Sequence, residues 1–503
     1  MHTKLRAAGA AAFAPLALVV PALAAPGAAD AQGFGLNEIG TCAIAKAGAN
    51  TSAPCADASS LYWNPGAVST VPKGTSVYVA GSGIQVNGRF RQDVSGRTYE
   101  ATPPLGAPPF AGFTLRPAAE PRLVVGLAGY VPYGLTSQWN DDFPGRFSAQ
   151  KAAIQTFYVQ PTAAFELVPG RLSVGAGAVA GYSRLELRQA LDFAGQTAVP
   201  ATPTSQQVTF GQLGFAPGTE FGRAAVKGSA TGVGYNLGAH ATLSKHFQAG
   251  ARYLSQVRFR YAGAGATFTV SPRAGDYVFR GGDPFLAQIN ATRVSTGLPA
   301  LATGSTLADL VLPNFLPGAA LGPGQTASTE ITHPAQVQAG LSYADGRTLL
   351  SAEYANVNWS SFRTLPINFQ YADGTPNARL SRALPEDYKN SQAVRVAAEH
   401  RTRAGLAGRV GFSYTGTPAP AQTVTPLLPD MDRYNFSAGV GLPLPRTRFA
   451  LDASYLRVET RGRRGRTGER GPLTTIDQTV NTLNNGFYEL TANVFSVGLK
   501  ARL

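Results

Sequence analysis

The sequence predicts an all-β protein whose antiparallel strands close into a transmembrane β-barrel. Three observations lead to this fold class: a composition rich in strand and turn residues, a period-2 alternation of apolar and polar residues along most of the chain, and an amphipathic strand at the C-terminus. The sheet is expected to close because the N–H and C=O groups of an open edge would find no water in lipid.

Composition favours strands and turns over helices. Charged residues make up 14% of the 503 residues, against about 25% in a typical soluble domain. Gly (57), Phe (26) and Tyr (19) are plentiful. No apolar run of about 18 residues follows the N-terminal region, which excludes helical membrane spans. A mean hydropathy of −0.05 suits membrane strands, in which apolar and polar residues alternate.

The net charge of +14 is a reason to consider a nucleic-acid partner. The basic residues are scattered along predicted strands and loops, however, and no nucleic-acid motif accompanies them. We therefore expect no nucleic-acid partner, and we expect the basic groups to meet membrane phosphates or to line a lumen.

The alternation is clearest in residues 248–261. The odd positions are mostly apolar, whereas the even positions include Arg252, Arg258 and Arg260. Three arginines on the buried face of a soluble sandwich would be costly, but a wet lumen accepts them. This pattern predicts that the three arginines face the lumen together.

The C-terminal strand shows the same period. One face carries the apolar side chains Phe495, Val497, Leu499, Ala501 and Leu503, and the other carries Ser496, Gly498, Lys500 and Arg502. Such a strand is similar to the closing strand of outer-membrane barrels, although Leu503 stands where those barrels usually end in Phe.

The N-terminus has the features of an export signal. A basic start precedes an apolar stretch from Ala7 to Leu23, and Ala29-Asp30-Ala31 fits a small-x-small cleavage site. We expect a signal peptide at residues 1–31, with cleavage after Ala24 as the alternative. Two prolines interrupt the apolar stretch, which argues against a membrane anchor, so export is expected.

Two cysteines are present, Cys42 and Cys55. An exported protein meets an oxidising compartment, so a disulfide is predicted, with two free thiols as the alternative. Closing so short a loop contributes about 3 kcal/mol in the chain-entropy model. No histidine lies nearby in the sequence, and we expect no metal site.

Two insertions are too long for turns, Ala190 to Lys227 and Gly263 to Ser328. Long loops of outer-membrane barrels lie outside the cell. The second insertion carries an apolar cluster that predicts one or two short amphipathic turns and a contribution to ligand binding: Leu307, Leu310, Val311, Phe315 and Leu316.

A third loop, Val458 to Phe487, is rich in arginine. Guanidinium groups facing outward would suit the phosphates of lipopolysaccharide, and a mobile solvated loop is the alternative. The arginines in question are Arg461, Arg463, Arg464, Arg466 and Arg470.

Several short segments, in colinear order, resemble the FadL family of outer-membrane transporters for long-chain fatty acids and other hydrophobic compounds (OMPP1/FadL/TodX-like). Residues 33–38 (GFGLNE) resemble its mature N-terminus, and Asn64-Pro65-Gly66 resembles its Asn-Pro-Ala hatch motif with Gly66 in place of Ala. Asn64 as a cap with Pro65 at the first helical position is a sound helix start in itself. The segment 429–433 (PDMDR) is the most specific match.

The resemblance implies a barrel of about 14 strands with a small N-terminal plug inside the lumen. Residues 32–72 would form this hatch and residues 73–503 the barrel. The implied mechanism is passive: ligand is captured between the two long loops, moves to a pocket inside the barrel, and leaves sideways. The lateral exit would be a gap made by an inward kink of the third strand near Pro132, Tyr133 and Gly134.

The strand from Leu172 to Arg188 bears on the pocket. Its even positions carry apolar groups followed by Tyr182, Arg184 and Glu186, and we expect these positions to face inward. Arg184 matches a family position associated with the ligand carboxylate, which a guanidinium could bind in a bidentate manner. A structural ion pair with Glu186 is the alternative role.

Other classes of function are less well supported. The five histidines stand in no convincing nucleophile or metal spacing, so an enzyme is not expected, and neither is a cofactor. A general porin or adhesin would begin directly with a strand, whereas residues 33–71 do not alternate. A family member that carries aromatic hydrocarbons remains the main alternative. We expect a monomer in the outer membrane of a Gram-negative cell.

Overall fold

The computed structural model describes residues 33–71, 74–192, 194, 197–199, 208–212, 214–295, 297–467 and 482–503. The predicted signal peptide at residues 1–31 lies outside the described residues, as does Arg470. Among the helices that are described, none combines the length and the apolarity needed to cross a membrane.

The described residues form 22 strands and four α-helices. The helices are α1 (Thr41–Ala45), α2 (Ser60–Trp63), α3 (Pro284–Ser295) and α4 (Leu307–Val311). The strands are β1 (Gly74–Gln92), β2 (Thr98–Glu100), β3 (Pro109–Arg116), β4 (Leu123–Gln138), β5 (Lys151–Val168), β6 (Leu172–Asp192), β7 (Thr197–Val199), β8 (Val208–Thr209), β9 (Glu220–Thr242), β10 (Phe247–Leu254), β11 (Val257–Val270), β12 (Thr326–His333), β13 (Gln336–Asp345), β14 (Thr348–Val357), β15 (Thr364–Gln370), β16 (Arg382–Pro385), β17 (Ser391–Arg401), β18 (Ala407–Thr415), β19 (Arg433–Pro443), β20 (Phe449–Thr460), β21 (Arg463–Gly465) and β22 (Gly486–Arg502).

The strands close into one antiparallel barrel. Strand β1 pairs with β22 along its length, from Ser76 opposite Arg502 to Gln92 opposite Gly486. Three wall strands are interrupted, so that β10 continues as β11, β12 as β13, and β14 as β15. With each of these counted once, the described strands make a ring of 14. The predicted fold class is therefore confirmed.

The outer surface of the barrel is apolar. On β14, Leu350 and Tyr354 are 44% and 45% exposed, whereas Ser351 and Glu353 between them are buried. On the closing strand β22, the outward side chains include Phe495 and Val497. Outward apolar and inward polar positions alternate as expected for a wall whose outer face meets lipid.

The break between β10 and β11 corrects one prediction. Arg252 on β10 is buried inside the barrel, where its guanidinium lies 4.1 Å from the ring centroid of Tyr62. Beyond Leu254 the alternation changes phase, so that Phe259 is buried while Arg258 and Arg260 are exposed. The prediction of one continuous arginine face was wrong, because the consecutive residues Leu254 and Ser255 are both buried, and the side to which even positions point is reversed beyond them.

Residues 33–71 form a plug inside the lumen and contain α1, α2 and a 3-10 helix, Pro65–Thr70. Nearly all of these residues are buried. Cys42 and Cys55 form a disulfide within the plug. The hydroxyl of Thr41 lies 2.8 Å from that of Ser496 on the wall, and Glu353 of the wall accepts a hydrogen bond from the N–H of Ser52 at 3.0 Å.

The hatch motif seats the plug on β6 and β9. Asn64 begins the 3-10 helix, where its side chain accepts from the N–H of Gly66, and its amide donates to the carbonyl of Ala239 on β9 at 2.9 Å. A Cβ at Gly238 would lie 2.1 Å from Oδ1 of Asn64, and one at Gly175 would lie 2.3 Å from the carbonyl oxygen of Pro65. The wall glycines thus let the plug approach the strand backbones directly.

The described residues of the two long insertions form a cap at one end of the barrel. Their bounds differ from the prediction, since β6 continues to Asp192, β9 begins at Glu220, β11 continues to Val270 and β12 begins at Thr326. Because these strands extend further than the alternation indicated, the cap begins further from the apolar outer surface of the barrel.

Candidate functional site

The third wall strand, β4, contains a bulge. Its register against β5 shifts between Tyr130, which faces Tyr158, and Tyr133, which faces Thr156. Val131 and Pro132 together stand opposite the single residue Phe157, and a proline suits such a place because it has no N–H to give to a ladder. The break coincides with the predicted kink residues Pro132, Tyr133 and Gly134.

The wall has an opening on the other side of β4. Strand β3 pairs with β4 only as far as Ala111 opposite Gly129. The next described backbone hydrogen bond that the preceding part of the wall makes to β4 is from the N–H of Thr102 to the carbonyl of Gln138, at 2.7 Å. The segment 103–109 between these contacts contains four prolines. Since proline cannot donate a ladder hydrogen bond, this segment forms no described ladder with the edge of β4.

The start of the plug runs along this edge from inside. The N–H of Leu36 donates to the carbonyl of Pro132 at 2.8 Å, and the N–H of Gly134 donates to the carbonyl of Phe34 at 3.0 Å. The first four described residues of the plug, residues 33–36, therefore occupy the place of a missing wall strand. We call them the edge segment.

An aromatic cluster holds the edge segment. The ring centroid of Phe34 lies 4.7 Å from that of Trp359 and 6.0 Å from that of Tyr133. His333 and Phe362 complete the cluster, with centroids 5.7 and 5.8 Å from that of Phe34. Phe34 is 1% exposed, so its release would expose a large apolar surface.

A cavity of about 790 Å³ begins beside the edge segment and passes through the opening. Inside the barrel it is lined by side chains such as Leu36, Ile84 and Leu135. It is also lined by Phe157 and Tyr182, which are 40% and 42% exposed on the outer face of β5 and β6. A cavity with both inward and outward side chains in its lining crosses the wall.

The inner end of the cavity is polar. The guanidinium of Arg433 donates to the carboxylate of Asp430 and to the carbonyl of Gly33, both at 3.0 Å. Burial raises the pKa of Asp430, and burial also raises that of Glu38, which lines the cavity nearby. The positive charge of Arg433 is thus already engaged by a carboxylate, and it ties the edge segment to the wall.

The structure places Arg184 and Tyr182 differently from the prediction. Even positions of β6 face outward and odd positions face the lumen, so the expectation that Arg184 points inward was wrong. The physical reason is that the small odd residues, Gly175 among them, are the ones that admit the plug. Both side chains nevertheless line the cavity, at its outer mouth. The guanidinium of Arg184 donates to the hydroxyl of Tyr182 at 3.3 Å.

The predicted leucine cluster lies in the cap and not in the cavity lining. Leu307, Leu310 and Val311 are buried in a cluster that joins both insertions, together with Phe215 and Phe221 from the first insertion. Phe315 packs against it, whereas Leu316 is 51% exposed. The two loops therefore pack on each other, as a groove between them requires, but their own side chains fill the contact.

The predicted arginine loop is dispersed in its described part. Arg463 donates to the carbonyl of Ala419 at 2.8 Å, and Arg464 pairs with Asp93. Arg461, Arg464 and Arg466 are exposed, and Arg463 is half-buried.

Sequence reasoning missed two parts of the site. The proline-rich segment 103–109 could have been recognised in the sequence, because its four prolines forbid a regular strand. Arg433 had been noted only as part of a motif, and nothing local in the sequence shows that it reaches the start of the plug.

The chain is similar to known outer-membrane transport proteins over most of its length. A family model described as "Outer membrane protein transport protein (OMPP1/FadL/TodX)" matches residues 22–497. The long-chain fatty acid transport protein of Escherichia coli strain K12 is 22% identical over 440 residues, which is 85% of this chain and 88% of that protein. The protein of the same name from Shigella flexneri is 22% identical over 442 residues, with the same coverage.

Solved structures with the same fold include three bacterial barrels. A FadL homologue of Pseudomonas aeruginosa has a TM-score of 0.69 at 19% identity, and covers 94% of this chain and 100% of its own. The toluene transporter TbuX of Ralstonia pickettii has a TM-score of 0.60 at 16% identity, with coverage of 93% and 99%. The toluene transporter TodX of Pseudomonas putida has a TM-score of 0.60 at 14% identity, with coverage of 94% and 100%.

Proposed function

The chain belongs to the OMPP1/FadL/TodX family of outer-membrane transport proteins, and on that premise we propose that it takes up hydrophobic small molecules, in particular long-chain fatty acids, by passive diffusion. The ligand moves through the plugged barrel and leaves sideways through the opening beside β4. No cofactor and no catalytic step are part of this proposal.

The observation that carries the proposal is the cavity that crosses the wall. An aqueous pore would run along the barrel axis, whereas this cavity leads from the lumen to the outer face between segment 103–109 and β4. Its volume of about 790 Å³ lies in the usual range for small-molecule sites, about 300–1,000 Å³. Each CH₂ group kept from water is worth about 0.8 kcal/mol, so a route into lipid favours long apolar chains.

Several residues have proposed roles along this route. Pro132, Tyr133 and Gly134 shape the gap. Arg184 and Tyr182 stand at its outer mouth, where a guanidinium can bind a carboxylate. The cap residues Leu307, Leu310, Val311, Phe315 and Leu316 are proposed to contact the ligand first, once the two loops part and uncover the three of them that are buried.

The plug is proposed to act as the barrier. Residues 32–72 would form the hatch, with Asn64, Pro65 and Gly66 as its seat and the Cys42–Cys55 disulfide as its brace, and residues 73–503 would form the barrel. A general porin or adhesin does not need a plug hydrogen-bonded to several wall strands. Movement of the edge segment would open the route from the lumen to the gap.

A second candidate ligand class is aromatic hydrocarbons. The observation that favours it is the engagement of Arg433 by Asp430 and by the carbonyl of Gly33. A ligand carboxylate at the inner end would have to displace one of these partners, whereas a neutral hydrocarbon would not. Arg184 at the mouth favours a carboxylate instead.

The setting of the protein is part of the proposal. We propose that residues 1–31 are a cleaved signal peptide, that the mature protein is a monomer in the Gram-negative outer membrane, and that membrane lipid and lipopolysaccharide surround it. The exposed arginines of the loop Val458 to Phe487 would contribute to the lipopolysaccharide contact.

The test is to obstruct the gap. Thr136 on β4 lines the cavity, and Thr136→Trp would narrow it. Thr364→Trp, on the exposed face of β15, is the matched control because Thr364 does not line the cavity. We expect uptake of a radiolabelled fatty acid into cells to fall several-fold for Thr136→Trp and to stay unchanged for Thr364→Trp. Equal uptake by both variants, at equal amounts of folded barrel, would refute the lateral route.

A further inference from the structure

Charged side chains collect on the outer face of one side of the barrel. Between the levels of Tyr182 and Arg188, the described outward side chains of β5, β6, β9, β11 and β12 carry six positive and two negative charges. We call this surface the outer cationic patch. Its members are Lys151, Arg184, Arg188, Lys227, Arg258 and Arg260, with Glu186 and Glu330.

The two carboxylates cannot balance the six cations. Glu186 contacts Lys151 at 2.8 Å, Arg188 at 2.5 Å and Lys227 at 3.6 Å. Glu330 contacts Arg258 at 3.1 Å and Arg260 at 2.9 Å. The side chains of Lys227 and Arg260 remain 63% and 72% exposed. The patch therefore keeps an excess of four positive charges on an accessible surface.

The wall is recessed at this place. Strand β9 pairs with β10 over residues 236–242 and with β11 over residues 222–227. No ladder pairs with either strand are described for residues 228–235 of β9. A Cβ added to Gly232, which faces the lumen, would lie 2.7 Å from the backbone oxygen of Arg258. This part of β11 therefore lies inside the line of the wall, and Val233 of β9 is 80% exposed at the edge of the recess.

The height of the patch matches a lipid head group. Below it on β9, Val233, Tyr235 and Leu237 face outward and are exposed. Thr231, at the level of the patch, is 11 residues from Thr242 at the far end of the strand. At about 3.3 Å per residue and a tilt of about 40°, this distance spans roughly 28 Å along the barrel axis, close to the apolar band of an outer-membrane barrel.

We propose that the outer cationic patch binds the phosphate groups of outer-leaflet lipopolysaccharide, whose head group lies in the recess between β9 and β12. Guanidinium groups bind phosphate through paired N–H donors, and Arg258 and Arg260 present two such groups side by side on one strand. This surface differs from the arginine loop Val458 to Phe487. The inference rests on placement in the outer membrane and not on which compound is transported.

The test uses the full-length protein, purified and stripped of lipid in detergent. The variant carries Lys227→Gln, Arg258→Gln and Arg260→Gln, and the control carries Arg403→Gln, Arg446→Gln and Arg448→Gln, three exposed arginines in turns at the opposite end of the barrel. Each protein is titrated with lipid A bearing both phosphates, with dephosphorylated lipid A and with phosphatidylglycerol. Heat-modifiable migration on gels verifies that each barrel is folded.

We expect wild type and control to bind phosphorylated lipid A at least ten-fold more tightly than the dephosphorylated form, and the patch variant to lose most of that preference. Salt should weaken the binding of wild type more than that of the patch variant. If wild type binds the phosphorylated and dephosphorylated forms of lipid A with equal affinity, that result alone overturns the proposal, whatever the variants do. Equal affinity for phosphatidylglycerol, or an unchanged patch variant, would overturn it as well. Fatty-acid uptake is a separate readout, so the proposed function can stand if this inference fails.

Discussion

Leu36 donates its backbone N–H to the carbonyl of Pro132 at 2.8 Å, so the first described residues of the plug complete the edge of the wall strand that borders the opening. The same strand carries the bulge that separates it from a regular ladder. One element of the plug thus both lines the route and closes part of it, and the predictions below follow from that arrangement.

Phe34→Ala should release the edge segment. Burial of Phe34 against Tyr133, His333 and Trp359 is the main apolar contact of this segment, and loss of a buried Phe costs about 3–5 kcal/mol. We expect faster backbone hydrogen exchange at residues 33–38 and a larger leak of small solutes in planar bilayers. Phe495→Ala is the control, because Phe495 is 58% exposed on the outer face. Unchanged exchange in the Phe34 variant would contradict the anchoring role.

Gly238→Ala should unseat the hatch motif. The added Cβ would lie 2.1 Å from Oδ1 of Asn64, and overpacking of this kind costs about 1–3 kcal/mol. Gly83→Ala on β1 is the control, since its added Cβ meets nothing within 4 Å. We expect increased protease cleavage of the plug in the Gly238 variant alone. Equal cleavage of the two variants would show that the close contact is not needed.

Stability of the plugged barrel should rise with pH in the alkaline range because of Lys46. Burial lowers the pKa of Lys46 from 10.5 to about 8. Between these values the unfolded chain holds a proton that the folded chain has released, so the free energy of unfolding increases from about pH 8 to pH 10.5. Comparison with Lys46→Met in urea unfolding isolates this contribution. The free energy of unfolding of wild type minus that of the Lys46→Met variant should increase over that pH range. A constant difference would contradict this prediction.

Arg184→Gln should lower affinity for a fatty acid by about two- to ten-fold, which corresponds to the net contribution of one ordinary hydrogen bond at a solvated site, about 0.5–1.4 kcal/mol. Binding of a neutral aromatic such as toluene should be unaffected, because only the carboxylate uses the guanidinium. Arg446→Gln, on an exposed turn away from the cavity, is the control in a fluorescent fatty-acid displacement assay. If Arg184→Gln leaves fatty-acid affinity unchanged, the carboxylate role of Arg184 is wrong.

The alternation was sufficient for the barrel, because it acts locally. The expectation of a kink near Pro132 came from the family resemblance, and the register of β4 against β5 does shift at that residue. The sequence was not sufficient to assign the faces of β6. Even and odd positions there were both plausible. The glycines at 175, 177 and 181 are unsuited to a lipid-facing surface, but the neighbours for which they make room are the plug at Gly175 and wall side chains at Gly177 and Gly181, and a single sequence does not display these contacts. The close approach of the Pro65 carbonyl to Gly175 decides which face of β6 points inward.

The phase reversal at Ser255 and Gln256 was equally hidden. A period-2 pattern continues through this break without any interruption in the residue types, yet Arg252 is buried and Arg258 is exposed. Gly228, Gly232 and Gly234 on the neighbouring strand are what permit β11 to bend inward. Contacts between strands, which a single sequence does not display, therefore determine where two of the three arginines point.

The most direct test of the lateral route is a crystal structure with a long-chain fatty acid that carries bromine at its terminal carbon. The account predicts anomalous density inside the cavity and an acyl chain that extends from the neighbourhood of Leu36 past Phe157 to the outer face. Density confined to the barrel axis, with the gap beside β4 filled by protein or water, would contradict it.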